Sequence, residues 1–181
     1  MLDDLITQAQ QMPDYPLASW DPEFKGAMDL VIGANGTWMH QGQPIVKTKI
    51  MQLFSRLLQR QTNGDYWLVT PVEAFAIKVE DLPFTIIAAD QVVVDSDTQW
   101  HFTSNCGDQV CLSQVDQLQV TVDAAGQPQP QLCVRDDLWA RISRPVFYQL
   151  ALACNPVLTT NGPRAMLLSA GVEYDFGAVE L

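Results

Sequence analysis

The chain has 181 residues, and its 21 Asp and Glu against 10 Lys and Arg give a formal net charge of −11. Binding of duplex nucleic acid is not expected, because neutralising phosphates requires a basic face. The apolar stretches are far shorter than the roughly 20 residues that a membrane helix needs, and the acidic start is unlike a signal peptide. We therefore expect a cytoplasmic protein with no membrane partner.

Hydrophobic periodicity and turn residues predict a mixture of helices and strands. The first third gives a helix at 2–9, a proline-rich connector, a hairpin with strands 28–32 and 37–40, and a helix from Lys47 to a cap at Gly64. The middle gives strands at 66–70, 75–79, 85–87, 91–94, 99–103, 117–122 and 132–134. The last part gives a helical segment capped by Asp136 and carrying Leu138 and Ile142, a helix opened by Pro145, and strands at 164–169 and 172–179. This order predicts an α+β fold.

Part of the sequence recurs at a constant offset of 100 residues. Five of the fourteen residues from 67 to 80 are repeated there, namely Leu68, Val72, Glu73, Val79 and Glu80. The repeat predicts two related halves, each made of antiparallel strands plus a helix. Coincidence is the alternative, because Val, Leu and Glu are common residues. We place an N-terminal helix and connector at 1–26, a first α+β half at 27–88 and a second at 89–181.

Acidic residues are absent from two windows of 35 residues each, 30–64 and 138–172. The windows contain seven of the ten basic residues, which are Lys47, Lys49, Arg56, Arg60, Arg141, Arg144 and Arg164. The two windows together carry +7, and the other residues carry −18. This partition predicts positive faces on an acidic body, which would suit an anionic ligand.

Arg135, Arg141 and Arg144 are the strongest candidates for binding an anion, because a guanidinium holds phosphate or carboxylate in a planar fork. Arg141 and Arg144 would share one face if a helix runs through both. The alternative is local ion pairing, with Asp137 against Arg141 at helical spacing and Asp136 against Arg135. Exposed pairs of this kind contribute about 0.2–1 kcal/mol.

Five further residues are candidates for ligand binding. Lys47 and Lys49 begin the helix, where they would reinforce the positive helix end or simply be solvated. Glu73 would accept a hydrogen bond from a ligand, or pair with an arginine of the other half. Trp38 and Trp139 would stack on a base, or belong to the core.

Catalytic and metal-binding motifs are absent from the sequence. It contains no Gly-rich phosphate loop, no nucleophile elbow and no paired-histidine metal signature. The four cysteines fit no zinc spacing, so we expect neither a metal nor a cofactor. The run 104–108 around Cys106 is better explained as a tight turn than as a nucleophile, because neither histidine is positioned by sequence to activate the thiol.

Several blocks together resemble a bacterial family that is labelled domain of unknown function 1285. The blocks are Trp38…Gly42…Pro44-Ile45, Leu53-Phe54-Ser55…Leu58, Gly64-Asp65-Tyr66…Leu68-Val69-Thr70-Pro71-Val72-Glu73, Ile77…Val79-Glu80-Asp81…Pro83-Phe84 and Val134-Arg135…Leu138…Ala140-Arg141…Arg144…Phe147-Tyr148…Leu150. The resemblance implies two related halves, the second loosely like a pleckstrin-homology fold. It also implies a nucleotide-like ligand at the interface between the halves and a part in signal transduction. The chain departs from the expected pattern at Gln52, in place of an arginine, and at Gln131, in place of an aromatic residue.

These observations favour a non-enzymatic module that binds or senses a small anionic ligand, such as a nucleotide, at the interface between two related halves. The alternative is a protein-interaction or homodimerisation module, in which the same basic patches meet acidic surfaces. An enzyme ranks third, because the sequence offers no catalytic pattern.

Overall fold

The computed structural model describes residues 15–160 and 162–178. The chain divides into two compact units, Met1–Pro83 and Phe84–Leu181. The sequence-based boundary between the halves falls after residue 88. This position lies inside one continuous strand, Phe84–Val94, where the sequence predicted two short strands. The helix predicted at 2–9 lies outside the described residues. The described end of the connector contains a short 3-10 turn, Leu17–Ser19.

The described part of the first unit is a mixed sheet with one α-helix. Its elements are β1 (Glu23–Ile32), β2 (Trp38–His40), β3 (Gln43–Pro44), α1 (Thr48–Leu57), β4 (Leu58–Arg60), β5 (Tyr66–Val69) and β6 (Glu73–Val79). The six described strands lie in the order β3-β2-β1-β6-β5-β4. The hairpin around Asn35-Gly36 is confirmed as the antiparallel pair β1 and β2, whereas β1 and β6 pair in parallel.

The helix α1 ends earlier than its sequence pattern predicts. The apolar stripe is confirmed, because Leu53, Phe54 and Leu57 are buried. At Leu58 the backbone becomes extended, and this residue starts β4 opposite Leu68. Leu58 is itself 1% exposed, so the strand buries the side chain that the helical pattern also assigned to the core. Periodicity alone therefore does not locate the helix end.

The second unit contains a second mixed sheet, one helix and a smaller sheet. Its elements are β7 (Phe84–Val94), β8 (Asp97–Ser104), β9 (Gln109–Leu112), β10 (Leu118–Val122), β11 (Pro128–Arg135), β12 (Leu138–Ile142), α2 (Arg144–Ala153), β13 (Asn155–Thr159), β14 (Gly162–Ser169) and β15 (Val172–Ala178). In the described residues, six strands lie in the order β10-β11-β12-β7-β8-β9 and three in the order β13-β14-β15. Strands β12 and β7 pair in parallel. Pro145 lies in the first turn of α2, as predicted.

The two six-stranded sheets share one topology. Each consists of two antiparallel three-stranded meanders, and the first strand of the first meander pairs in parallel with the last strand of the second. Two similar halves are thus confirmed, although their sheets are mixed rather than antiparallel. The position of the helix differs, because α1 connects the two meanders of its sheet whereas α2 follows the second meander.

The residue matching behind the predicted repeat is wrong. An offset of 100 matches β5 and β6 to β14 and β15, which lie outside the second six-stranded sheet. Leu68 is 1% exposed and pairs with Phe75, whereas Leu168 is 45% exposed and pairs with Glu173. The β14–β15 turn has only two residues, so equal sequence spacing does not preserve the register. By topology, β5 and β6 correspond to β11 and β12.

The helical segment predicted over Leu138 and Ile142 is also wrong, because these residues belong to β12. Asp136 and Asp137 both have positive φ angles, 42° and 58°, and form the turn of a β11–β12 hairpin instead of a helix cap. Within β12 burial alternates, with Leu138, Ala140 and Ile142 buried. In the described part of the chain, no helix is long and apolar enough to cross a membrane.

Candidate functional site

The predicted ligand residues Trp139 and Arg141 lie on one face of the second sheet. They are two residues apart in β12, and successive side chains of a strand point to opposite faces. Arg141 pairs with Gln131 of β11 on one side and Thr85 of β7 on the other, and Gln131 pairs in turn with Gln119 of β10. We call this set of five residues the arginine face. Except for Gln119, which is exposed, its members are half-buried.

The opposite face of the same sheet is apolar. The row next to Gln119, Gln131, Arg141 and Thr85 consists of Leu118, Leu132, Ala140 and Phe84. All four are buried, and three of them are completely so. The sheet therefore places its apolar core on one side and the hydrogen-bonding side chains of the arginine face on the other.

Arg135 does not share the environment of Arg141. Its Nη1 forms an ion pair with Oδ1 of Asp108, and its guanidinium lies 5.1 Å from the ring centre of Phe84 on the apolar side of the sheet. Asp108 also accepts a hydrogen bond of 2.7 Å from Oγ of Ser104. The sequence-based alternative chose Asp136 as the partner, but the turn brings Arg135 to a carboxylate 27 residues away. We assign Arg135 a stabilising role.

The local pairing considered for Arg141 assumed a helix that does not form. In the β11–β12 turn, Oδ1 of Asp137 accepts a hydrogen bond of 2.9 Å from Nε1 of Trp139. This bond fixes the edge of the indole and leaves its ring on the arginine face. The helical spacing between Asp137 and Arg141 does not exist in a strand, where the rise is about 3.3 Å per residue.

Arg144 is the exposed first residue of α2, whereas Arg135 and Arg141 belong to strands. The charge of Arg144 acts on Asp123, which lies in the β10–β11 turn. Backbone hydrogen bonds from Gln127 and Ala125 are the main cause of a lowered pKa at Asp123, and the charge of Arg144 adds a small further decrease. Arg141 and Arg144 therefore do not share a helix face.

Lys47 and Lys49 lie at the start of α1, where the sequence placed them. Lys47 is the N-cap residue without a side-chain capping bond, and the first turn contains no acidic residue. Both side chains are exposed. The N-terminal end of a helix carries a partial positive charge. Lys47 and Lys49 add to it, so the local field there is positive.

The predicted ligand residues Glu73 and Trp38 lie in different environments of the first unit. Glu73 begins β6 opposite Glu23 of β1. The hydrogen bond from Lys25 to Glu23 raises the pKa of Lys25, and the charge of Glu73 raises it slightly further. Trp38 is completely buried, a position that leaves no ring face available for stacking on a ligand.

Sequence reasoning missed a cleft in the second unit, which has a volume of about 410 Å³. It lies between β10, the turn that precedes β10, and the β14–β15 hairpin, and we call it the β10–β15 cleft. Its charged lining residues are Asp116, Arg164, Glu173 and Asp175. Residues of two different sheets form this cleft, so no local pattern predicts it. The one related feature of the sequence is the alternation of carboxylates with apolar residues from 172 to 176.

The charges in this cleft are partly compensated. Nε and Nη2 of Arg164 donate hydrogen bonds of 3.0 and 2.6 Å to the carboxylate of Asp175. Burial raises the pKa of Asp175, but the hydrogen bonds from Arg164 and from the backbone of Gly177 outweigh this effect, and the pKa is lowered. Asp116 and Glu173 add two further negative charges to the lining.

Burial makes two of the four thiols poor nucleophiles. Burial raises the pKa of Cys154 to about 11 and also raises that of Cys133. Cys106 is buried in a tight turn, which is confirmed by the backbone bonds that join Ser104 to Gly107 and Asp108. Within residues 15–160 and 162–178, no group of three or more His, Cys, Asp or Glu side chains is placed to hold a metal ion.

In residues 15–160 and 162–178, two units that each contain a mixed six-stranded sheet and one α-helix define a two-part α+β protein. Residues 15–82 match the N-terminal domain and residues 83–176 the C-terminal domain of the DUF1285 family, both described as of unknown function. The chain belongs to this family, which confirms the resemblance found in the sequence. No curated protein is detectably similar to the chain.

Two crystal structures of DUF1285 family proteins are similar to the chain. The protein from Silicibacter pomeroyi DSS-3 is 30% identical, with a TM-score of 0.82, and the match covers 97% of this chain and 95% of that one. The protein from Shewanella baltica OS155 is 24% identical, with a TM-score of 0.55, and the match covers 67% of this chain and 89% of that one. The second likeness shows the fold alone.

Proposed function

We propose that this protein is a non-enzymatic module that binds a small anionic ligand, such as a nucleotide, and that Arg141 is the principal anion-binding residue. The observation that carries the proposal is the arginine face. It combines a guanidinium, an indole ring, two amides and a hydroxyl on one side of the second sheet.

Each group of the arginine face has a role in this proposal. The guanidinium of Arg141 offers a planar pair of donors that matches two oxygens of a phosphate. The indole of Trp139 offers a flat surface for a base. Gln131 and Thr85, directly beside Arg141 in the sheet, supply further donors and acceptors. Together they favour a ligand with both an anionic and a planar part.

The charge distribution supports an anion rather than a cation. The window 138–172 contains no carboxylate, although the chain as a whole has a net charge of −11. The absence of carboxylates from β12, α2 and β13 makes the charge of these elements positive in an otherwise acidic protein.

Thermal unfolding with defined ligands tests the proposal. A ligand that binds only the folded state raises the melting temperature as its concentration rises, so AMP should raise it and adenosine should raise it less. We expect Arg141→Lys to lose most of the AMP effect, because an ammonium keeps the charge but not the fork. Lys78→Ala, an exposed cation in the first unit, is the control and should respond like the parent protein.

The outcome that would exclude Arg141 is an equal response to AMP in the Arg141→Lys variant and the parent. Pyrophosphate and inorganic phosphate, used in the same experiment, separate recognition of the anion from recognition of the base. A response to AMP alone would assign Trp139 a part, and Trp139→Leu should then remove it.

Signalling and a likeness of the second unit to a pleckstrin-homology fold extend this proposal as hypotheses. The likeness is supported by the order of elements, in which six sheet strands are followed by a helix. That helix contacts the sheet, because Nε2 of Gln149 donates a hydrogen bond of 2.8 Å to the carbonyl of Ala89 in β7. In a signalling role, ligand binding would change the affinity of this protein for a partner protein.

Homodimerisation is the second candidate function, and exposed apolar side chains favour it. Leu152 of α2 is 90% exposed and Leu158 of β13 is 78% exposed. Both lie in the acid-free window. Two bodies with a net charge of −11 repel each other least where neither carries a carboxylate, so a second copy would dock there. Light scattering of the parent and of Leu152→Gln tests this, and a monomeric parent protein would reject it.

A further inference from the structure

We infer that the outer end of the β7–β8 hairpin is a docking edge for an extended segment of a partner protein, in which apolar residues are flanked by basic ones. We call residues 90–97 the acidic arm. They comprise the last five residues of β7, a two-residue turn and the first residue of β8. All eight are exposed. The acidic arm contains no residue of the arginine face, so the inference goes beyond the proposed anion site.

The acidic arm extends past the other neighbours of β7 in the sheet. Strand β7 pairs with β12 only from Phe84 to Ile86, whereas its pairing with β8 continues to Val94. After Ile86 the helix α2 takes the place of β12, and Nε2 of Gln149 donates a hydrogen bond to the carbonyl of Ala89. In the described part of the chain, no strand pairs with the acidic arm on this side.

The register of the hairpin shows which backbone groups face this open side. The turn consists of Asp95 and Ser96, with φ angles of 49° and 75°. Two positive φ angles are typical of a type I′ turn, whose flanking residues exchange hydrogen bonds. Because such bonds occur at every second residue of an antiparallel pair, Gln91 and Val93 direct their N–H and C=O groups away from β8.

Three hydrogen bonds support this alternation. The residues opposite Val93 and Gln91 are Thr98 and Trp100. The carbonyl of Thr98 accepts a hydrogen bond of 2.8 Å from the β14–β15 turn, and the N–H of Trp100 donates one of 2.8 Å to a serine hydroxyl of β14. The carbonyl of Ala89 points outward in the same way, towards α2. Among residues 15–160 and 162–178, the outward groups of Gln91 and Val93 have no such partner.

The side chains of the acidic arm offer apolar surface beside these backbone groups. Val92, Val93 and Val94 are 40%, 70% and 41% exposed, and successive residues of a strand lie on opposite faces. An extended chain that pairs with this edge would satisfy the backbone groups and cover valines on both faces, which is the basis of strand addition. An open edge of this kind is otherwise a liability for aggregation.

Charge selects the partner. Residues 79–134 contain no Lys or Arg, and the acidic arm carries Asp90, Asp95 and Asp97. In the described part of the chain, no ion pair involves these three carboxylates. A segment with basic residues at its ends complements them. A second copy of this chain is disfavoured, because its own arm would bring like charges opposite one another.

Amide hydrogen exchange of the full chain, followed by NMR, tests the inference. The cationic probe is acetyl-KVTVTK-amide, and the acidic control is acetyl-EVTVTE-amide. We expect the cationic peptide to slow the exchange of Gln91 and Val93, whose N–H groups point outward. Val92 and Val94 already bond to β8 and serve as internal controls, so their exchange should change much less.

Methylated peptides test the strand pairing without altering the protein. An antiparallel alignment that places the two lysines near Asp90 and Asp95 turns the threonine N–H groups towards β7 and the valine N–H groups away from it. N-methylation of both threonines should therefore weaken binding about tenfold. N-methylation of both valines should weaken it less than about twofold.

Protein variants test the charge. Asp90→Lys should weaken binding of the cationic peptide about tenfold. Glu173→Lys makes the same change at an exposed carboxylate of β15 and should leave binding within about twofold of the parent. Arg141→Lys should bind the peptide like the parent protein, so a failure of the anion site and a failure of this inference are distinguishable.

Four results would each overturn the inference. These are unchanged exchange of Gln91 and Val93 with the cationic peptide at millimolar concentration, equal binding of the acidic peptide, equal weakening by the two methylations, and equal binding by Asp90→Lys. Protection of the same two amides that rises with protein concentration alone would make a second copy the occupant, and would overturn it as well.

Discussion

The two six-stranded sheets have the same topology but make different use of their second face. In the first sheet the parallel strands pair Phe24 with Ala74, and in the second they pair Phe84 with Ala140. Phe75, which follows Ala74, is 3% exposed, whereas Arg141, which follows Ala140, is half-buried on the arginine face. The parallel junction of the first sheet thus carries apolar side chains, and that of the second carries the proposed anion-binding residue.

The largest expected difference between the sheets concerns the two phenylalanines of these pairs. Phe84 is completely buried, whereas Phe24 is 50% exposed and stacks on Trp67 at 4.6 Å. Phe84→Ala should lower the free energy of unfolding by about 3–5 kcal/mol, because it leaves a cavity in the core. Phe24→Ala should cost only about 0.5–1.5 kcal/mol, the range of an aromatic pair. Urea unfolding measures both, and equal losses would contradict the asymmetry.

The next difference concerns ion pairs. In the second unit Asp108 binds both Arg135 and Ser104, and its side chain is 17% exposed. Asp108→Asn should destabilise the protein by about 1–3 kcal/mol, since it weakens a largely buried network. In the first unit the side chain of Glu23 is 72% exposed in its pair with Lys25, so Glu23→Gln should cost less than about 1 kcal/mol. Thermal unfolding of the two variants under identical conditions compares them.

The smallest difference is in the response to pH. The pKa of Asp175 is lowered in the folded state, so its contribution is present above the ordinary Asp pKa of about 3.9 and is lost as the pH falls through the folded value. The pKa of Lys25 is raised, so its contribution is present below the ordinary Lys pKa of 10.5 and is lost as the pH rises through the raised value. Asp175→Asn should therefore flatten the acid side of the stability profile, and Lys25→Met the alkaline side.

These effects can be measured as unfolding midpoints over a pH series, with each variant compared with the parent protein. Stability of Asp175→Asn that falls with acid as steeply as the parent's would show that the pair with Arg164 does not carry the dependence. The same reasoning applies to Lys25→Met at alkaline pH.

The sequence by itself determined most of the local structure. The Asn35-Gly36 hairpin, the apolar stripe of α1 and Pro145 at the start of α2 depend on short-range sterics and periodicity, which a sequence displays directly. The arginines of the second acid-free window and the family resemblance were visible in the same way. Short-range patterns failed where two elements bury the same residue equally well, as at Leu58 and in β12.

Only the tertiary structure decided which residues share an environment. It paired Arg135 with Asp108 instead of its sequence neighbour, buried Trp38, and set Arg141 between Gln131 and Thr85. It also brought the edges of β10 and β15 to one cleft. Strand register and sheet order arise from contacts between residues far apart in the chain, and no local pattern encodes the free energy of those contacts.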